Sequence, residues 1–132
     1  MTLKRSTRRS GAVSPLVAML MVVLCVVISV VLEEGMMLSE SRRAQAAADA
    51  AAMAGACVLY QNFRTTAGVD SASITAATQM AADNGYLNDA ATSNPNPGTT
   101  SVVANNPPST GYFKGQAGYV EVNTTYYQGR YF

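Results

Sequence analysis

The chain has 132 residues, a formal net charge of +1, no histidine and no tryptophan. That balance gives no electrostatic basis for binding nucleic acid or an acidic partner. Without histidine a serine nucleophile lacks its usual base, and Cys25 and Cys57 stand too far apart for a metal-ligand spacing, so composition points away from enzymatic chemistry.

Charge is distributed unevenly. Lys4, Arg5, Arg8 and Arg9 crowd the first nine residues, and Ser10 through Leu32 then carries no charge at all. Residues 1–12 therefore read as a basic cytoplasmic leader. Val13 to Leu32, "VSPLVAMLMVVLCVVISVVL", is twenty residues of mostly Val, Leu, Met and Ala. As a helix rising ~1.5 Å per residue it spans ~30 Å, the thickness of a bilayer core. Pro15 falls in the first turn, where its missing donor costs little. No Ala-x-Ala ending follows, so residues 13–33 read as a retained transmembrane anchor. The basic residues before it set the N-terminus in the cytoplasm and the remainder outside.

Beyond the anchor nothing forces a break. Gly35 and Gly55 are isolated, proline is absent up to Tyr60, and Ala, Met, Leu, Glu, Gln and Arg dominate. The expectation is one rod from about Ser14 to Phe63, roughly 75 Å long, whose residues 34–66 form an alanine-rich stalk. In "AQAAADAAAMAGAC", Ala44 to Cys57, ten of fourteen residues are alanine or glycine. Arg42, Gln45, Asp49 and Ala52 mark a polar stripe. Ala47, Ala51, Ala54 and Val58 face another way and are the candidate helix-packing surface, with Met53 and Cys57 on the neighbouring flank. Side chains this small admit a second helix at close range, either internal or from another subunit.

The polar remainder, residues 67–132, reads as a small extracytoplasmic domain. A second helix is expected from Ser71 or Ser73 to about Ala82, capped by Asp70 or Ser71 and stopped at Asn84-Gly85. Asn94 to Gly98 is a strong turn signal, Thr99 to Ala104 a short strand, and Asn105 to Pro108 another turn. Val120 and Val122 alternate with Glu121 and Asn123 in a strand around Tyr119 to Tyr127, which would pair with the first in a small antiparallel sheet. The fold class is therefore α+β. Tyr112, Tyr119, Tyr126, Tyr127 and Tyr131 are expected to fill the core of a segment poor in leucine, with ligand contact as the competing role. Asn123-Thr124-Thr125 is a glycosylation sequon. No phosphate loop, cofactor motif or metal-ligand cluster stands out, so no cofactor and no metal are expected.

The stretch "RRSGAVSPLVAMLMVVLCVVISVVLEEGMMLSESRRAQAAADAAAMAGA" resembles the N-terminal region of the TadE and TadG proteins of Tad (tight adherence, Flp pilus) systems. The matching pieces are Arg8-Arg9, Gly11-Ala12-Val13, Glu34-Gly35 and Gln45 to Ala56. The resemblance implies a non-enzymatic structural or assembly protein of a bacterial pilus or secretion system. It would sit in the inner membrane, with other subunits of that system, the bilayer and copies of itself as partners. Some relatives lose their leader to a prepilin peptidase, which here would cut after Gly11 and start the mature chain at Ala12. Such processing usually accompanies a glutamate at the fifth mature position, and that position is Leu16. The departure favours an anchored protein over a pilin-like subunit that polymerises into a filament. A surface binding module is the third reading.

Overall fold

The computed structural model describes residues 13–91 and 93–129. Its elements are helix α1 (Val13–Thr66), helix α2 (Ser71–Asp83), strand β1 (Thr100–Asn105) and strand β2 (Glu121–Tyr126), an α+β arrangement. The chain forms two compact units, divided between Leu38 and Ser39.

The described part of the first unit is helix throughout. Every Val, Leu, Ile and Met from Val13 to Leu38 is exposed, from 44% at Met37 to 76% at Met19. Ser29 donates back to the Cys25 carbonyl at 3.0 Å, so its hydroxyl is satisfied within the helix.

In the second unit two helices and a sheet share a core of small residues. Along α1 the buried positions are Ala47, Ala51, Gly55 and Leu59, at a strict four-residue spacing. On α2 they are Ser73, Ala77 and Ala81, at the same spacing. The core cluster joins Ala47, Ala51, Ala77 and Ala81 to Tyr86 and Val102, with Ala44, Ala104 and Val122 against it. The sheet turns Val102 and Val122 inward and leaves Val103 and Asn123 exposed, the period-two alternation of a half-buried strand pair.

The ends of α2 follow from its sequence. Asp70 accepts from the Ala72 amide at 2.9 Å as N-cap, a contribution of ~1 kcal/mol. At the other end Gly85 adopts a φ of 91°. The Gly85 amide returns to Ala82 and the Tyr86 amide to Ala81, a Schellman closure that turns Tyr86 into the core. The two strands pair antiparallel with Thr100 opposite Tyr126 and Asn105 opposite Glu121.

The first strand moves one residue on, to Thr100–Asn105, the long helix runs to Thr66 rather than Phe63, and further expectations shift. The second helix runs to Asp83 rather than Ala82, and the second strand contracts to Glu121–Tyr126. Tyrosines do not fill the core of the last third. Tyr112 is 88% exposed, Tyr119 and Tyr126 are also exposed, and alanine and valine do the filling. The buried tyrosine is Tyr86, which the helix stop delivers. Tyr131 lies outside the described residues.

Candidate assembly surface

The alanine run of α1 meets α2 at close range at Gly55. A Cβ placed on Gly55 would stand 2.9 Å from the Ser73 carbonyl oxygen and 3.2 Å from both the Ala77 Cβ and a Val120 methyl. Only glycine admits α2 and the residue leading into β2 at that distance. Of the sequence-predicted packing residues, Ala47 and Ala51 are buried in the core, while Ala54 and Val58 are half-buried. Gly55 and Leu59 occupy the buried positions one step further along. The spacing Ala47, Ala51, Gly55 was the available signal, because the small-xxx-small repeat marks a close backbone approach. Met53 and Cys57 stay exposed on the outer side of the helix. Gly11 and Ala12, the residues of the possible leader processing site, lie outside the described residues.

Three polar clusters hold this unit. Tyr86 donates its hydroxyl to Glu40 at 2.8 Å, tying the turn after α2 to α1. Burial, followed by the Glu40 bond and charge, pushes the Tyr86 hydroxyl up to about 12, so it stays a donor. Asn106 accepts from the Asp70 amide at 2.7 Å and donates to the Tyr119 carbonyl at 2.8 Å, fastening the α1–α2 turn to the β1–β2 loop.

Glu121 gathers that loop. It accepts from Thr110, from the Ser109 amide at 2.8 Å, from the Ser109 hydroxyl at 2.9 Å and from Asn105 at 3.1 Å. The Thr110 hydroxyl, followed by the Ser109 amide, lowers its carboxyl to about 2. The loop so held presents an aromatic cluster. Phe113 stacks on Tyr119 at 4.2 Å between centroids, and Tyr112 meets Phe113 edge-on at 5.0 Å.

Asp83 and Asp89, the acids beside the α2 stop, have separate duties. Asp83 accepts from Gln79 within α2, and Asp89 accepts from the Thr100 amide and hydroxyl at 2.7 and 3.1 Å. The Thr100 amide bond is the main cause of a lowered Asp89 carboxyl. Among the described residues no cluster of three metal-ligating side chains forms.

The exposed apolar stretch and the alanine face lie on one helix, and that helix carries the decisive likeness. Residues 11–58 match the Flp pilus-assembly TadE/G-like family model. The Tad-like segment thus covers the apolar stretch, the acidic-glycine step and the alanine run, and stops just short of Leu59. It supports a part in Flp pilus assembly. Within it, α1 is long and apolar enough to cross a membrane. No curated protein and no solved structure matches the chain.

Proposed function

We propose that the protein is a non-enzymatic structural subunit of a Tad/Flp-type pilus or secretion apparatus, anchored in the inner membrane and associating through its long helix. The Tad-like match over residues 11–58 carries this reading. The complete exposure of the apolar side chains between Val13 and Leu38 supports it, because side chains of that kind need lipid or neighbouring helices around them. Residues 1–12 then form the cytoplasmic leader, 13–33 the anchor, 34–66 the stalk and 67–132 the outer domain.

Association through the stalk has a face available. Ala47 and Ala51 are covered within the chain, so a neighbouring subunit would meet the outer stripe of Ala46, Ala50, Met53, Cys57 and Tyr60, spaced three and four residues apart. No histidine is present to serve as a base, which agrees with a non-enzymatic role.

The second reading is a pilin-like subunit released by cleavage after Gly11. It keeps the same helix and differs in whether the anchor leaves the bilayer. Intact-mass and N-terminal peptide analysis of protein from its native envelope fraction separates the two. A start at Met1 or Thr2 supports the anchored subunit, and a start at Ala12 replaces it with the pilin-like one. The third reading, a surface binding module, draws on the exposed Tyr112 and its aromatic neighbours.

A further inference from the structure

The two outer edges of the sheet are treated differently. Tyr127 donates to the Thr99 carbonyl, so with the observed register the amides of Ser101, Val103, Asn123 and Thr125 face the partner strand. Those of Thr100, Val102 and Ala104 on β1, and of Val122, Thr124 and Tyr126 on β2, face outward. The β1 edge is closed at Thr100 and Val102. Asp89 accepts from the Thr100 amide at 2.7 Å, Asn88 from the Val102 amide at 3.0 Å, and the Ala90 amide donates to the Thr100 carbonyl at 2.9 Å.

The β2 edge has no such closure. Among the described residues, no hydrogen bond reaches the amides of Val122, Thr124 or Tyr126. Glu121–Tyr126 also lacks the proline or lysine with which exposed edges are commonly blunted. Alongside lies a groove of ≈ 360 Å³ between α1 and residues 122–124, its α1 wall built by Ser41, Gln45, Asp49 and small alanines. Thr124 turns a buried hydroxyl oxygen inward that has no partner among the described residues. A buried hydroxyl left unpaired costs ~1–3 kcal/mol.

We propose that the β2 edge and this groove receive an extended polypeptide strand from another protein, one carrying a lysine or arginine opposite Asp49. Alternating outward donors and acceptors along a strand fit the backbone of a further strand. The groove supplies the selectivity. Asp49 is the ionisable group in its wall and is exposed, and among the described residues the Gln45 amide at 3.1 Å is its one hydrogen-bond donor, so a cation on the incoming strand finds an acceptor. The alanines of the wall leave room for its side chains. This inference does not depend on the pilus reading.

The test uses the full chain in neutral detergent micelles and two synthetic probes, acetyl-Thr-Val-Thr-Lys-Val-Thr-amide and its counterpart with glutamate for lysine. Hydrogen exchange is followed amide by amide. The lysine peptide is expected to slow exchange at Val122, Thr124 and Tyr126 by about tenfold or more, leaving Asn123 and Thr125 unchanged. The glutamate peptide is expected to bind about fivefold more weakly, and Asp49→Asn to erase that difference. Thr124→Pro removes an outward amide and is expected to abolish binding. Because proline can also disturb the strand, Thr124→Val is the companion variant: it keeps the outward amide and is expected to fold at least as stably and to bind as the parent does, and loss of binding in it would overturn the backbone pairing. No protection by either peptide at millimolar concentration overturns the proposal, as does equal binding of the two. Concentration-dependent protection without peptide, together with dimers in sedimentation, would assign the edge to a second copy and overturn the proposed partner.

Discussion

Gly55 of α1 and Ser73 of α2 are in backbone contact: a Cβ on the glycine would lie 2.9 Å from the serine carbonyl oxygen. Helix propensity alone favours alanine over glycine by ~1 kcal/mol. Here the obstructing atom belongs to the backbone of a packed helix, so the helices must separate. Gly55→Ala is expected to destabilise the outer unit by about 1 kcal/mol and Gly55→Val by about 3 kcal/mol, the cost of overpacking. Gly35 is the control, with nothing within 4 Å of its Cβ position. Gly35→Ala should leave stability unchanged or raise it. Denaturant unfolding in micelles checks all three, and an unchanged midpoint for Gly55→Val would contradict the close approach.

The Tyr86–Glu40 bond predicts a loss of stability in alkali. The folded state holds the Tyr86 proton up to about 12, against an ordinary value of 10.0. Above pH 10 the unfolded chain releases that proton while the folded chain retains it. Stability is therefore full below pH 10 and falls as pH rises toward 12. Tyr86→Phe should cost about 1 kcal/mol at neutral pH and flatten this slope. A wild-type alkaline slope in Tyr86→Phe would assign the effect elsewhere.

Glu121 predicts the opposite dependence. Its carboxyl lies at about 2 in the fold against 4.5 ordinarily, so its contribution is present above pH 4.5 and is lost as pH falls toward 2. The β1–β2 loop should loosen in that window, seen as faster exchange at Ser109 and a changed near-ultraviolet signal from Tyr112, Phe113 and Tyr119. Glu121→Gln should show the looser loop already at neutral pH. Acid titration that leaves the Ser109 amide unmoved would remove Glu121 as the loop's anchor.

Asp89→Ala exposes the β1 edge by removing the acceptor of the Thr100 amide and hydroxyl. A loss of stability is expected, with Asp89→Asn milder because an amide oxygen still accepts. The sharper readout is association: the Asp89→Ala chain should aggregate more readily than the parent at equal concentration. Equal aggregation would mean that Asn88 and Ala90 suffice to guard the edge.

Much of this architecture is legible in the sequence because local chemistry determines it. The length and purity of Val13 to Leu32, the Asp70 cap and the Asn84-Gly85 stop mark both helices without reference to tertiary contacts. The facing of the alanine run is harder. Alanine surrounds the helix on nearly every side there, so hydrophobic contrast around the axis is weak, and the phase rests on one glycine at the right interval from Ala47 and Ala51. The role of the tyrosines was not readable at all. A phenol suits a core or a surface equally, and whether Tyr86 or Tyr112 goes inside is decided by where a turn releases the chain. The closing of β1 by Asn88 and Asp89 joins residues 11 to 14 positions apart, with a Pro-rich turn between them, and no periodic signal announces it.

A sheet guarded at Thr100 and Val102 on one side and unguarded on the other would, on the proposed strand addition, have a valence of one. After a single strand joins β2, the next free edge belongs to the newcomer, and Asn88, Asp89 and Ala90 block addition from behind. Such a sheet differs from an amyloid-forming segment, whose two edges both stay open to copies of itself. On the proposed strand addition, the β2 edge makes one attachment per copy.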